Sequence, residues 1–166
     1  FNYDDEYLYI GCQVFDETRT HKSRTGNYFN GDGVEVFLSG DFIRNGKNAA
    51  SGPNDFQFYF LPPTSPGETL FVYKAKGGEK TSTVLSLYGI VAASKEFGDR
   101  YTMEIRVPLH LFGTGNTSRG IGINIAIDDA DGTAYRETQI VMNGSPNAYM
   151  APKYLEMLRL SGSYHN

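Results

Sequence analysis

The stretch Asn30-Gly-Asp-Gly-Val-Glu-Val-Phe-Leu-Ser39 decides the fold. It reads as a tight turn feeding a strand. Gly31 and Gly33 supply the backbone freedom a turn needs, and Asp32 between them can accept hydrogen bonds from nearby amides. Val34, Val36 and Leu38 then alternate with Glu35 and Phe37, the period-two pattern of a half-buried strand. Glu35 is the odd residue. A mid-strand carboxylate between two valines is ordinarily solvated, but the face it shares with Phe37 could equally line a semi-apolar groove. Pattern alone leaves both readings open.

The same alternation recurs on either side. Residues 7–15 set Leu8, Ile10, Cys12 and Val14 against Tyr7, Tyr9, Gln13 and Phe15, and both faces are apolar near the start. That predicts a strand inside a sheet. Residues 56–61 place Phe56, Phe58 and Phe60 on one face and Gln57 and Tyr59 on the other. Pro62-Pro63 ends this run, because proline removes ladder donors. Residues 70–75 and 84–93 read as two more strands, joined across Gly77-Gly78. In residues 100–107, Tyr101, Met103, Ile105 and Val107 point one way and Thr102, Glu104 and Arg106 the other. Pro108-Leu-His-Leu-Phe-Gly113 forms one short helical turn, with proline at its start and glycine at its end. Ile121, Ile123, Ile125 and Ile127 alternate with Gly122, Asn124 and Ala126, and residues 136–142 and 155–160 complete the set. About nine short strands with polar turns and no long helix predict an all-β antiparallel sandwich of the immunoglobulin or jelly-roll kind.

Composition bounds the function. A chain of 166 residues is one domain, 1–166, with enough length for a substantial core. Apolar content of 40% with 20% charged residues is globular, not disordered. The net charge of -4 and the lack of any Lys/Arg run argue against a nucleic-acid partner. His21-Lys-Ser-Arg24, the densest basic cluster, reads as solvated loop. No apolar run reaches membrane-spanning length, which excludes insertion by a helix. Cys12 is the sole cysteine, so no intrachain disulfide forms, and its strand position marks a small buried hydrophobe. Asn116-Thr-Ser118 and Asn143-Gly-Ser145 match the glycosylation acceptor pattern, a frequent chance match.

Two carboxylate groupings carry possible chemistry. Asp128, Asp129 and Asp131 crowd a turn, with Asp16 at a matching strand end. Such a set suits Ca²⁺, which takes six to eight oxygen ligands; a solvated turn is the alternative. Glu35 and Glu104 would serve a glycosidase only by flanking one scissile bond. The alternative is two sheet-face carboxylates paired with Arg106 or Arg136. His21, His110 and His165 show no metal-ligand spacing, and no Ser/His/Asp motif appears.

The segments Tyr7-Leu-Tyr-Ile, Val14-Phe-Asp16, Gly31-Asp-Gly-Val-Glu-Val-Phe-Leu38, Tyr101-Thr-Met-Glu-Ile-Arg-Val-Pro108 and Ile123-Asn-Ile-Ala-Ile-Asp-Asp-Ala-Asp131, in this order, resemble the family-nine carbohydrate-binding modules. That family falls within the wider DOMON-like sandwiches. Pro152-Lys-Tyr-Leu-Glu-Met-Leu-Arg-Leu160 resembles their closing strand, so the likeness covers nearly the whole chain. It implies a non-catalytic module that binds glycan chains or chain ends, attached to a secreted polysaccharide-active enzyme. Its partner would be an oligosaccharide or polysaccharide and its setting extracellular.

Members clamp a sugar between two tryptophans, and the resemblance maps those walls to Phe29 and Met142. It maps the acidic contact to Glu35, a polar contact to Gln57, and Arg136 and Asn143 to the rim. This chain has no Trp, so Phe29 with Tyr28 would have to stack the sugar, and Tyr149 is the candidate for the second wall. The resemblance also implies structural Ca²⁺ at Asp16, Asp128, Asp129 and Asp131. Some DOMON relatives ligate haem through Met, but Met103 lies on a core-facing strand and reads as packing. The alternative function is a structural or assembly domain of a cell-surface or extracellular polymer, with a degraded sugar site. Relatives carry an extra strand ahead of the Tyr-Leu-Tyr run, where this chain has residues 1–6. The expectation is a sheet lacking one N-terminal strand, its edge completed by upstream residues or by strand exchange with a neighbouring subunit.

Overall fold

A computed structural model describes residues 1–20, 28–40, 52, 54–62, 73–76, 79–82, 89–113, 120–132, 135–143 and 145–160. Within them the chain forms β1 (Asn2–Tyr3), β2 (Tyr7–Phe15), β3 (Gly33–Ser39), β4 (Asp55–Phe60), β5 (Tyr73–Lys76), β6 (Glu79–Ser82), β7 (Val91–Glu96), β8 (Arg100–Pro108), β9 (Ile121–Asp129), β10 (Thr138–Val141) and β11 (Glu156–Leu158). A four-stranded sheet runs β1-β2-β8-β7. A seven-stranded sheet runs β10-β9-β3-β4-β5-β6, with β11 also beside β9. Every pairing is antiparallel, as short turns between alternating strands require. The result is the expected all-β sandwich.

The inward faces are the apolar sets that the alternation picked out. Leu8 and Ile10 of β2, Val34, Val36 and Leu38 of β3, Phe56, Phe58 and Phe60 of β4, and Tyr101, Met103, Ile105 and Val107 of β8 share one core. Phe56 stacks on Phe58 at 5.5 Å and 7°, and Phe112 meets Phe56 edge-on at 6.2 Å and 80°. Each such side chain, fully buried, stabilises the fold by about 1.5–3 kcal/mol. The predicted helical turn is a 3-10 helix, Leu109–Phe112, that sends Leu109 and Phe112 inward and stops at Gly113 with φ 82°. Cys12 packs against this core, and burial pushes its thiol up to about 11.

Some details differ from the pattern. Gly31 and Gly33 do not take positive φ. Gly33 is needed for space instead: a Cβ there would stand 3.3 Å from the Phe60 carbonyl oxygen. Gly77-Gly78 separates β5 from β6, whose register pairs Lys76 with Glu79. The polar sequence of β6 hid it, because its pairing is made by backbone and leaves no apolar signature. The strand expected over 84–93 begins at Val91, and residues 84–88 lie outside the described set, as do 70–72, 21–24, 116–118 and 161–166. β2 pairs with β8 along its whole length, but β1 reaches only Leu8 and Tyr9. Among the described residues, no strand flanks the rest of that β2 edge, residues 10–15.

Candidate functional site

The outward face of the larger sheet is partly roofed. Phe37, Ala126, Ala148 and Leu155, with Val141 and Tyr154, form one apolar cover; Tyr28, Tyr59 and Leu61 form another. A groove of about 520 Å³ opens beside them. Its floor follows from strand register. Glu35 of β3 lies opposite Tyr59 of β4 and Ala126 of β9, and Asp128 of β9 lies opposite Gln139 of β10. The pleat sends Gln57 to the same face as Tyr59. Phe29 and Tyr149, 45% and 55% exposed, stand among the groove's lining residues.

Two buried carboxylates anchor the floor. Glu35 is 3% and Asp128 1% exposed. Gln57 Nε2 donates to Glu35 Oε2 at 2.7 Å, and Gln139 Nε2 to Glu35 Oε1 at 3.2 Å. Asp128 Oδ1 accepts from Arg136 Nη1 at 2.7 Å and from Gln139 Nε2 at 2.9 Å; its Oδ2 accepts from the Tyr59 hydroxyl at 2.7 Å. Arg136 Nη1 also reaches Glu35 Oε1 at 3.4 Å. Burial, and next the charge of Asp128, hold the Glu35 carboxyl well above its ordinary range. Burial likewise raises the Tyr59 phenol, helped by both carboxylates. Arg136 supplies the one positive charge in this network, and its bond to Asp128 is of the short, charge-assisted kind. A fixed set of donors and acceptors beside exposed rings fits a ligand with many hydroxyls and apolar C–H faces.

The structure therefore brings Phe29, Glu35, Gln57, Arg136 and Tyr149 into one groove. Met142 and Asn143 lie outside its lining. They form the turn after β10: the Met142 N–H donates to Ile125 O at 2.8 Å, and the Asn143 N–H to Asn124 Oδ1 at 3.2 Å. Phe37, Tyr59 and Gln139 were missed as groove residues, and Asp128 as the buried carboxylate that Tyr59, Arg136 and Gln139 share. For Tyr59 and Phe37 the signal was present, since Tyr59 is two residues beyond Gln57 and Phe37 two beyond Glu35, each pair on one strand face. Glu104 is on the outer face of the other sheet, so it cannot share a bond with Glu35 as a glycosidase pair would. Met103 is fully buried in the core.

The metal grouping also changes. Asp16, Asp32 and Asp129 converge, with one oxygen of each lying within 4.8 Å of the others. Asp128 is excluded because consecutive strand residues face opposite ways, and it serves the groove instead. Asp131 is exposed and outside the triad. Asp32, which the sequence offered only as a turn residue, takes its place. Its Oδ1 accepts from the Ala130 N–H at 2.7 Å and its Oδ2 from the Thr20 N–H. Burial pushes its carboxyl up to about 6. Burial, then Asp131, Asp16 and Glu137, raise Asp129. Three hard oxygen donors under mutual repulsion fit Ca²⁺, and Asp16, Asp32 and Asp129 are the residues that would hold it.

An antiparallel sandwich with a polar, aromatic-flanked groove on one sheet has the form of a ligand-binding module. The model of the carbohydrate family 9 binding domain-like family matches residues 1–162, and the chain belongs to that family. It is also similar to a family 9 carbohydrate-binding module from Caldicellulosiruptor kristjanssonii solved in complex with glucose. The TM-score is 0.71 at 23% identity, over 99% of this chain and 75% of that one. Against the same module with cellotriose the TM-score is 0.72 at 23% identity, over 99% and 74%. No curated protein matches the chain.

Proposed function

We propose that the chain is a non-catalytic module that binds neutral glycans in the groove over β3, β4, β9 and β10. The observation that carries this is the Glu35–Asp128–Arg136 network, whose Glu35 and Arg136 line the groove floor beside the exposed rings of Phe29 and Tyr149. Sugar hydroxyls exchange hydrogen bonds with Gln57, Gln139, Glu35 and Arg136, while the rings take the sugar's C–H faces. The side-chain donors hold both carboxylates in place before a ligand arrives, so little ordering is left for binding to overcome. The family and the sugar-bound relatives support the same class of ligand. The setting is extracellular, with attachment to a polysaccharide-active protein, as the resemblance to secreted glycan-binding modules implies. Ca²⁺ at Asp16, Asp32 and Asp129 braces the β2, β3 and β9 ends.

Calorimetry with cellotriose tests this. Phe29→Ala and Glu35→Gln should each weaken binding at least about tenfold, the loss of one good contact, with the far-UV spectrum unchanged. No heat with any neutral oligosaccharide overturns the proposal. In that case the β2 edge at residues 10–15, which no strand among the described residues flanks, favours an assembly role by strand exchange, which concentration-dependent oligomers in light scattering would support.

A further inference from the structure

The outer face of the four-stranded sheet carries a second trough, of about 600 Å³. Register builds it in two rows across the strands. Tyr9, Arg106 and Val91 form one row, and Gly11, Glu104 and Ala93 the next. Gly11 and Ala93 are the smallest residues that could flank Glu104, and a Cβ placed at Gly11 meets nothing within 4 Å. The space above the second row is therefore open. Phe1, 55% exposed, belongs to the β1 side of the trough, and Val91, 50% exposed, to the β7 side.

The trough is built before anything occupies it. The Tyr9 hydroxyl donates to Asp4 Oδ2 at 2.7 Å. Asp4 is itself fixed, its Oδ1 accepting from the Glu6 and Tyr7 amides at 2.8 and 2.7 Å. The Arg106 guanidinium lies 4.5 Å over the Tyr7 ring, and its buried Nε has no hydrogen-bond partner. Glu104, two residues away on the same face, is exposed.

A half-buried guanidinium and an exposed carboxylate thus line the trough side by side, next to a held aromatic ring. An anion would face the Glu104 charge, and a cation the Arg106 charge. An apolar segment would leave both groups unsatisfied. A vicinal diol suits them both, accepting from the guanidinium while donating to the carboxylate, and sugar C–H groups lie on the tyrosine face. We infer that this trough is a second binding site for a neutral glycan segment, so that the module holds two chains on its opposite outer faces. The inference rests on the glycan reading of the first groove for its choice of ligand class. Two sites facing away from each other would bridge separate chains, and multivalent retention on a polymer would follow.

The test is amide NMR and calorimetry with cellotriose, on the wild type, Gly11→Ile and Phe29→Ala. Gly11→Ile fills the trough, and Glu104→Gln is a second variant should the isoleucine not fold. The expected result is two clusters of shifted amides, one around Glu35 and Gln57 and one around Gly11 and Glu104. Stoichiometry should halve in Gly11→Ile with the Glu35 cluster intact, and halve in Phe29→Ala with the Gly11 cluster intact. Shifts confined to the Glu35 cluster, with stoichiometry untouched by Gly11→Ile and Glu104→Gln, overturn the second site and leave the first. Shifts confined to the Gly11 cluster support this site and overturn the groove. No shifts at all overturn both.

Discussion

Glu35 and Glu104 hold the same kind of position, mid-strand on an outer sheet face, yet they live in different chemistry. Glu35 is 3% exposed, roofed by the residues around Ala148 and Leu155 on one side and Tyr28 on the other. Glu104 lies in an open trough. The covered carboxyl has collected Gln57, Gln139 and Arg136 as protein partners, because a buried polar group without hydrogen bonds is costly. The open one is left to water. Strand pattern alone does not set a side chain's chemistry; what packs over the strand does.

The largest expected effect separates the two arginines. Arg136→Gln removes the cation shared by Glu35 and Asp128, and should cost about 3–5 kcal/mol in urea unfolding. Arg106→Gln removes a partly exposed cation stacked on Tyr7, and should cost no more than about 1 kcal/mol. Equal losses would erase the contrast between the faces.

Proton linkage probes the covered face next. The Glu35 carboxyl is raised in the folded chain relative to the unfolded one. Its contribution is therefore fully present below the unfolded value and is lost as pH rises through the folded one, where the native state still holds a proton the unfolded state has released. Stability should fall as pH climbs above the ordinary carboxylate range, and Glu35→Gln should flatten that fall. A mutant with the wild-type pH profile would place the titration elsewhere.

Chelation comes third. A site filled at one hundred times its Kd adds about 2.7 kcal/mol, which for a domain of this size is roughly 5–10 °C in Tm. EDTA should lower Tm on that order, Asp32→Asn should abolish the response, and Asp128→Asn should keep it. The opposite pair of outcomes would return Asp128 to the metal site and remove Asp32.

Much of this was legible before the fold. Period-two alternation located β2, β3, β4, β8 and β9 and their inward faces, because core burial imposes that period on the sequence. The same rule would have parted Asp128 from Asp129, had the strand been carried through the aspartates instead of stopped at Ile127. Phe29, Glu35, Gln57 and Arg136 were placed by resemblance, and the fold brings them into one groove. Met142 failed because β10 ends at Val141 and the chain turns away there. Asp32 was hidden because its partners, Thr20 and Ala130, are distant in sequence and no local pattern marks them. Gln139 was hidden for a related reason: its pairing with Asp128 depends on β10 register, which nothing local fixes.

The smallest effect contrasts two glycines. Gly33 sits in β3, where an added Cβ would crowd Phe60 O at 3.3 Å and Leu61 Cδ2 at 3.4 Å. Gly33→Ala should therefore destabilise by about 1–3 kcal/mol, the usual cost of overpacking. Gly11 sits in β2 with open space above it and a negative φ. Alanine there restricts the unfolded chain without straining the folded one, so Gly11→Ala should stabilise by about 0.4–1 kcal/mol. A glycine that lowers stability in mid-strand invites the question of what the space is for. If Gly11→Ala raises the urea midpoint while weakening oligosaccharide binding on that face, the trough trades stability for room to bind. If it lowers the midpoint, the space above Gly11 is filled in solution and the trough does not exist as described.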